Sequence, residues 1–357
     1  MDPALAIQAA VSLGIIAAGC TWMISPLTSR LAKRAKAVDI PSGGRKIHDK
    51  VMPLWGGLGV AAAIVAGIGA LAATGALDQL QLSARSLIGI AAGISILLIG
   101  GLLDDRKPLS PAIQIFFPIA AAFAAILGGV GIVQVTNPTG TGGLSLVWWQ
   151  GFGLSLPSDI LTFLWLLIAT YSLKVLDGLD GLVAGLAVIG AGLVGALSLS
   201  PAYYQPGVGI LSGIVGGAFA GFLPTNAHPA KQFLGESGST IAGFLLGVLA
   251  ILSSAKIAIA LAVLAIPIAD VALVIFGRIR RGVPWYRGDD SHLHFRLLKA
   301  GVPHKVAVWL YWAVALFAGV LALGLQTKGK YFLIVALIVL AAAASVIAGQ
   351  RAAKRSV

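Results

Sequence analysis

Long apolar stretches, almost free of charge, make up most of this chain: residues 4–25, 54–76, 86–103, 111–130, 159–176, 181–200, 207–224, 239–253, 256–277, 306–325 and 331–349. A run of about 20 apolar residues crosses a bilayer as a helix. The runs are continuous rather than alternating, which excludes a β-barrel. The expected fold class is therefore an all-α polytopic membrane protein with about ten to eleven transmembrane helices. Charged residues are 11% of the chain, against about 25% in soluble domains, so an ordinary soluble enzyme, a coiled coil and a disordered chain are excluded as well. The segments 86–103 and 239–253 are short for a span and are expected to tilt inward or to borrow flanking residues. A single integral membrane domain, 1–357, is expected. Cys20 is the one cysteine, so no internal disulfide forms, and the N-terminal stretch lacks the basic region of a signal peptide and reads as a retained first span.

The net charge of +12 on a soluble chain would point to nucleic acid. Here it reads as topology. Summing Lys and Arg over alternate loops puts 20 on one side (26–53, 104–110, 225–238, 278–305 and the tail from 350) and 4 on the other, with Lys174 inside a span. Positive charge collects in the cytoplasm, so the N-terminus is expected outside, the C-terminus inside, and no nucleic-acid partner. The outer face carries the 131–158 loop, whose Trp148 and Trp149 read as an interfacial belt and whose stretches around Gly151 and Gly153 suit a small hairpin. All five His and nearly all the carboxylates also fall on the cytoplasmic side. Acids contribute little to topology, so their gathering there marks a candidate active site on the cytoplasmic face.

Asp104 and Asp105 close the third span, where adjacent carboxylates need a metal, a cationic ligand or nearby Arg106 and Lys107. Asp177 and Asp180 sit three residues apart in Asp177-Gly178-Leu179-Asp180-Gly181, on one face if helical, with Lys174 one turn earlier. Glu236, the only Glu, opens the eighth span within Gly235-Glu236-Ser237-Gly238-Ser239, where its small polar neighbours suit an N-cap or an anion. His292, His294 and Arg296 lie in the last large cytoplasmic loop and suit phosphate binding, metal ligation or acid–base work. Arg45, Lys46 and His48 precede the second span, where they either meet a cytosolic phosphate compound or set topology. A transporter would also carry intramembrane charge, but its acids would lie near the midplane rather than on one face.

Taken in order, Arg45-Lys46-Ile47-His48, Leu102-Leu103-Asp104-Asp105, Leu176-Asp177-Gly178-Leu179-Asp180-Gly181, the Asn226 to Ser239 segment with Lys231 and Glu236, and His292-Leu293-His294-Phe295-Arg296 resemble the polyprenyl-phosphate N-acetylhexosamine-1-phosphate transferases (glycosyltransferase family 4). The resemblance runs from about 45 to 299. It implies transfer of a sugar-1-phosphate, a HexNAc-1-phosphate, from a UDP-sugar to undecaprenyl or another polyprenyl phosphate, with UMP released, at the step that initiates cell-wall or surface polysaccharide synthesis. It further implies Mg²⁺ or Mn²⁺ held by Glu236, Asp105 and Asp177. Catalytic roles fall on Asp104, Asp105, Asp177 and Asp180; substrate binding falls on Arg45, Lys46, His48, Lys107, Lys174, Asn226, Lys231, His292, His294 and Arg296. The implied partners are the lipid, the UDP-sugar, the bacterial inner membrane and a second copy in a homodimer. Other readings are the phospho-N-acetylmuramoyl-pentapeptide translocase within the same superfamily, a non-catalytic relative that binds lipid phosphate or nucleotide, and a transporter. Three positions depart from the family pattern: Lys174 and Tyr171 stand where relatives carry Asn, and Glu236 stands for Asp. The changes at Lys174 and Glu236 are expected to be coupled, with Glu236 still on the metal and Lys174 on a phosphate oxygen, on Asp177 or on Glu236.

Overall fold

A computed structural model describes residues 1–41, 50–137, 142–151, 153–253, 257–284 and 290–355, with Thr136 described for its backbone alone. Arg45, Lys46 and His48 lie outside these. Each of the expected spans is a helix: α1 (Pro3–Arg34), α2 (Gly56–Ala73), α3 (Ala84–Arg106), α4 (Pro111–Leu127), α5 (Ser158–Leu176), α6 (Leu182–Ser198), α7 (Pro206–Asn226), α8 (Gly235–Leu252) and α9 (Ile257–Arg280), then, after a short α10 (Leu293–Lys299), α11 (His304–Gly324) and α12 (Thr327–Arg355). Among the described residues nine helices are long and apolar enough to cross a membrane; α4 and α6, at 17 residues each, are shorter. The protein is an all-α polytopic membrane protein.

The helix ends show that the two short segments borrow flanking residues, as one of the two expectations had it. The third and eighth spans are not short: α3 runs to 23 residues and α8 to 18 by drawing in flanking residues, among them Asp104, Asp105 and Glu236. α1 extends through Arg30, Lys33 and Arg34 because cations favour the negative end of a helix dipole. Its start is fixed by the Asp2 carboxylate, which accepts from Ala4 N at 2.8 Å and Leu5 N at 3.2 Å.

α8 is the axis of the bundle. Some 89% of its most apolar window is buried, against 22% for α1 and α12, which face outward. α2, α3, α5, α6 and α9 pack round it. Close packing in a membrane depends on small residues. In α7, a Cβ at Gly213, Gly217 or Gly221 would strike the α1 backbone at Ala10, Gly14 or Ala18. α3 and α8 meet as closely, since a Cβ on Gly101 would collide with the backbone of Ser237.

Strands are few. β1 (Val38–Asp39) pairs antiparallel with β2 (Met52–Pro53) before α2. Between α4 and α5, β3 (Gln134–Thr136) pairs with β4 (Gly143–Ser145), and β5 (Val147–Gly151) pairs with β6 (Leu154–Pro157). The second pair is the hairpin expected around Gly151 and Gly153. Trp148 is 79% exposed there, at the end of the bundle away from Asp104 and Asp105.

Candidate active site

Four helix ends meet at one end of the bundle. The close contact of Gly101 with Ser237 sets the last turn of α3 beneath the first turn of α8. Asp105, one turn beyond Gly101, therefore faces the α8 N-terminus, where backbone N–H groups lack helical partners. Its Oδ1 accepts from Glu236 N at 2.9 Å. Capping of α8 by its own hydroxyl residues does not occur: Leu234 occupies the cap position without a side-chain bond, and Ser239 and Thr240 bond back to carbonyls within the helix. Gly235 makes the turn at φ +78, and a Cβ there would lie 2.5 Å from Asp105 Oδ2. That second oxygen is buried and has no hydrogen-bond partner.

Asp104 is held by the segment that leads into α4. Its Oδ1 accepts from Leu109 N at 2.8 Å and Gln114 Nε2 at 2.9 Å, while Arg106 and Lys107 are exposed and take no part. Gln114 Oε1 accepts from Lys174 Nζ at 3.0 Å, and Lys174 Nζ pairs with Glu236 Oε1 at 2.5 Å. The chain Asp104, Gln114, Lys174, Glu236 thus ties α3, α4, α5 and α8 together. Lys174 pairs with Glu236, one of the options foreseen, and its ammonium also lies 5.3 Å from the centre of the Tyr171 ring, so the two α5 positions that depart from the family pattern touch each other. Gln114 was not anticipated: a single amide in an apolar helix carries no periodic or motif signal.

Asp177 is the C-cap of α5, half-buried and within hydrogen-bonding reach of Ser239. Burial, then the Glu236 charge, pushes its carboxyl up to about 7. A raised acid is favoured in the folded chain when protonated, so this contribution is present below the ordinary carboxylate range and lost as pH rises through about 7. The ionised form is the costly one, and a bound cation relieves it.

The turn after α5 is not helical, so Asp180 does not share a face with Asp177. Its Oδ2 lies 2.7 Å from His228 Nδ1 and accepts from Ala230 N at 3.1 Å, while Asp180 N donates to His304 Nε2 at 3.2 Å. Asn226, 4% exposed, holds this turn to the 227–232 loop: its Oδ1 accepts from Gly181 N at 3.1 Å and its Nδ2 donates to Gln232 O at 3.1 Å. Lys231 is exposed beside it.

α10 covers this turn. His294 is wholly buried, both ring nitrogens lack partners, and Nε2 lies 2.6 Å from where a Cβ on Gly178 would sit. Burial pushes its imidazole down to about 4, so it is neutral at physiological pH. His292 Nδ1 meets Asp270 Oδ2 at 2.9 Å, and Leu293 N donates to Asp270 Oδ1 at 2.8 Å. Asp270 was missed by the motif reading, although a lone acid within an apolar span is itself a signal. Arg296 donates to Ser291 O at 2.6 Å and Ser345 O at 3.2 Å, fastening α10 to α12.

The donor chemistry fits a hard divalent cation. Such ions take oxygen ligands, and Mg²⁺ in particular is held by one or two carboxylates together with water and substrate phosphates. Asp105 presents a free buried oxygen and Asp177 a half-buried carboxyl, with Glu236 beside them but engaged by Lys174. The three acids do not close to ligand distance on their own; among the described residues the one cluster that does is Asp180, His228 and His304.

Known proteins bear on this arrangement. The profile of glycosyl transferase family 4 matches residues 87–254, which carry all five of Asp104, Asp105, Asp177, Asp180 and Glu236. A probable undecaprenyl-phosphate N-acetylglucosaminyl 1-phosphate transferase from Bacillus subtilis is 32% identical over 85% of this chain and 82% of its own length. A decaprenyl-phosphate N-acetylglucosaminephosphotransferase from Mycobacterium leprae is 30% identical over 87% and 82%. A phospho-N-acetylmuramoyl-pentapeptide-transferase from Halalkalibacterium halodurans is 27% identical over 86% and 94%. With these similarities spanning nearly the whole chain and the motif acids assembled at one end of the bundle, the protein belongs to glycosyl transferase family 4.

Proposed function

We infer that the protein transfers an N-acetylhexosamine-1-phosphate from a UDP-sugar to a polyprenyl phosphate, releasing UMP, in the bacterial inner membrane. The observation that carries this is the rim formed by Asp104 and Asp105 of α3, Asp177 at the end of α5 and Glu236 of α8, faced by Lys174. Such a rim suits a reaction between two phosphate compounds, where charge must be neutralised and the reactants aligned. An oxygen of the lipid phosphate attacks the β-phosphorus of the sugar nucleotide, the bond from that phosphorus to the bridging oxygen breaks, and UMP leaves. Asp105 and Asp177, with Glu236 at the edge, would hold Mg²⁺ or Mn²⁺, which supplies positive charge to the phosphoryl oxygens. Lys174 is placed to add charge on the same side. Asn226 and His294 order the turn that bears Asp180. Identity to the two N-acetylglucosamine enzymes exceeds that to the muramoyl-pentapeptide enzyme, which favours a UDP-HexNAc donor.

The test is UMP release by purified protein given undecaprenyl phosphate, Mg²⁺ and a panel of UDP-sugars. Release with a UDP-HexNAc that requires the lipid phosphate is expected; binding without turnover for every donor rejects the reading. At limiting Mg²⁺ the rate should rise with pH through about 7, as Asp177 loses its proton. Raising Mg²⁺ should move that midpoint to lower pH, because cation and proton compete for one carboxylate.

The charge split supports a cytoplasmic rim with the hairpins on the outer side. In a Cys20→Ser background, Lys305→Cys should react with an impermeant thiol reagent only from the cytoplasmic side, and Ser145→Cys only from the other. The opposite pattern would invert the topology.

A further inference from the structure

Beside the oxygen-lined rim lies a cluster of different chemistry. Asp180, His228 and His304 come from the turn after α5, the loop after α7 and the start of α11, and one ligand atom from each lies within 4.8 Å of the other two. The Asp180 carboxylate touches His228 Nδ1 at 2.7 Å, and the two imidazoles stack at 4.1 Å between centres, 23° from parallel. His304 Nε2 accepts from Asp180 N at 3.2 Å, and its Nδ1 is buried with no hydrogen-bond partner. His228 is 38% exposed, giving a path from solvent. Ala230 N holds the Asp180 carboxylate in place from outside the cluster, as outer-shell donors do at metal centres.

We propose that Asp180, His228 and His304 bind a divalent cation of the zinc class, separately from the ion held by the carboxylate rim. Two imidazoles with one carboxylate select Zn²⁺, Co²⁺ or Ni²⁺, whereas Mg²⁺ takes oxygen ligands. Three protein ligands leave a fourth position for water. On binding, the proton shared between Asp180 and His228 passes to solvent and the metal takes its place. The bound ion fastens the 177–181 turn to the 227–231 loop and to α11, and so fixes the segment that carries Asp177.

The site is read by binding, so its failure is separate from failure of the transferase reading. Tag-free protein in detergent is titrated with Zn²⁺ against a chromophoric chelator, and Co²⁺ is used for its ligand-field spectrum. The expected result is one Zn²⁺ per chain that excess Mg²⁺ does not displace, with a rise in melting temperature. His228→Gln and His304→Gln should each weaken binding by about 100-fold or more, since loss of even an outer-shell partner costs about 10- to 100-fold. No stoichiometric binding by the wild type, or wild-type affinity in either folded variant, overturns the proposal. If one variant does not fold, the other decides.

Discussion

Asp105→Asn should reduce UMP release by about 1,000-fold while the protein stays folded, in line with the loss of a preorganised charge or proton acceptor at a reacting centre. The substitution separates two jobs of one side chain. Asparagine keeps an oxygen able to accept from Glu236 N, the bond that caps α8. It removes the charge on the buried oxygen that has no protein partner. Asp105→Ala would lose both, adding a capping loss of about 0.5–2 kcal/mol. Turnover and melting temperature measured on the same preparations decide between them. Near-wild-type UMP release by Asp105→Asn would remove this residue from the catalytic set.

The second large effect concerns Lys174 and Glu236, whose side chains are 15% and 21% exposed. Removing one member of a largely buried ion pair costs about 3–5 kcal/mol, because the other is left uncompensated. Lys174→Met strands Glu236 and also takes the donor from Gln114, which in turn positions Asp104. Glu236→Gln strands Lys174. Each single variant should therefore lower both stability and turnover, and the double variant should be more stable than the sum of the two predicts, by about 0.5–3 kcal/mol of coupling. Unfolding curves for the four proteins close the cycle. Additive losses would mean that the pair is incidental.

How much of this was legible beforehand depends on the kind of force involved. The spans were readable because hydropathy is a local property, and the hairpin after Gly151 because glycine marks a turn. Asp104, Asp105, Asp177 and Glu236 stood out because acids have no business at a topological boundary without a reason. The contacts among them were not readable, because they join residues far apart in the chain. That Asp105 caps α8, in place of the serines beside it, follows from the Gly101 and Ser237 backbones touching. Gln114 is silent for the same reason: an amide gains meaning from what faces it. Asp270 was visible as a lone acid in an apolar helix, but nothing nearby in sequence says that it serves His292.

The bond from Asp105 to Glu236 spans 131 residues of sequence. During synthesis, α3 enters the bilayer long before α8 is made, so for that interval Asp105 has no amide to hold and the rim does not exist. The reactive centre is completed only when the eighth helix slides into place against the third. A chain that ends anywhere before Gly235 lacks the counterpart for its own acid.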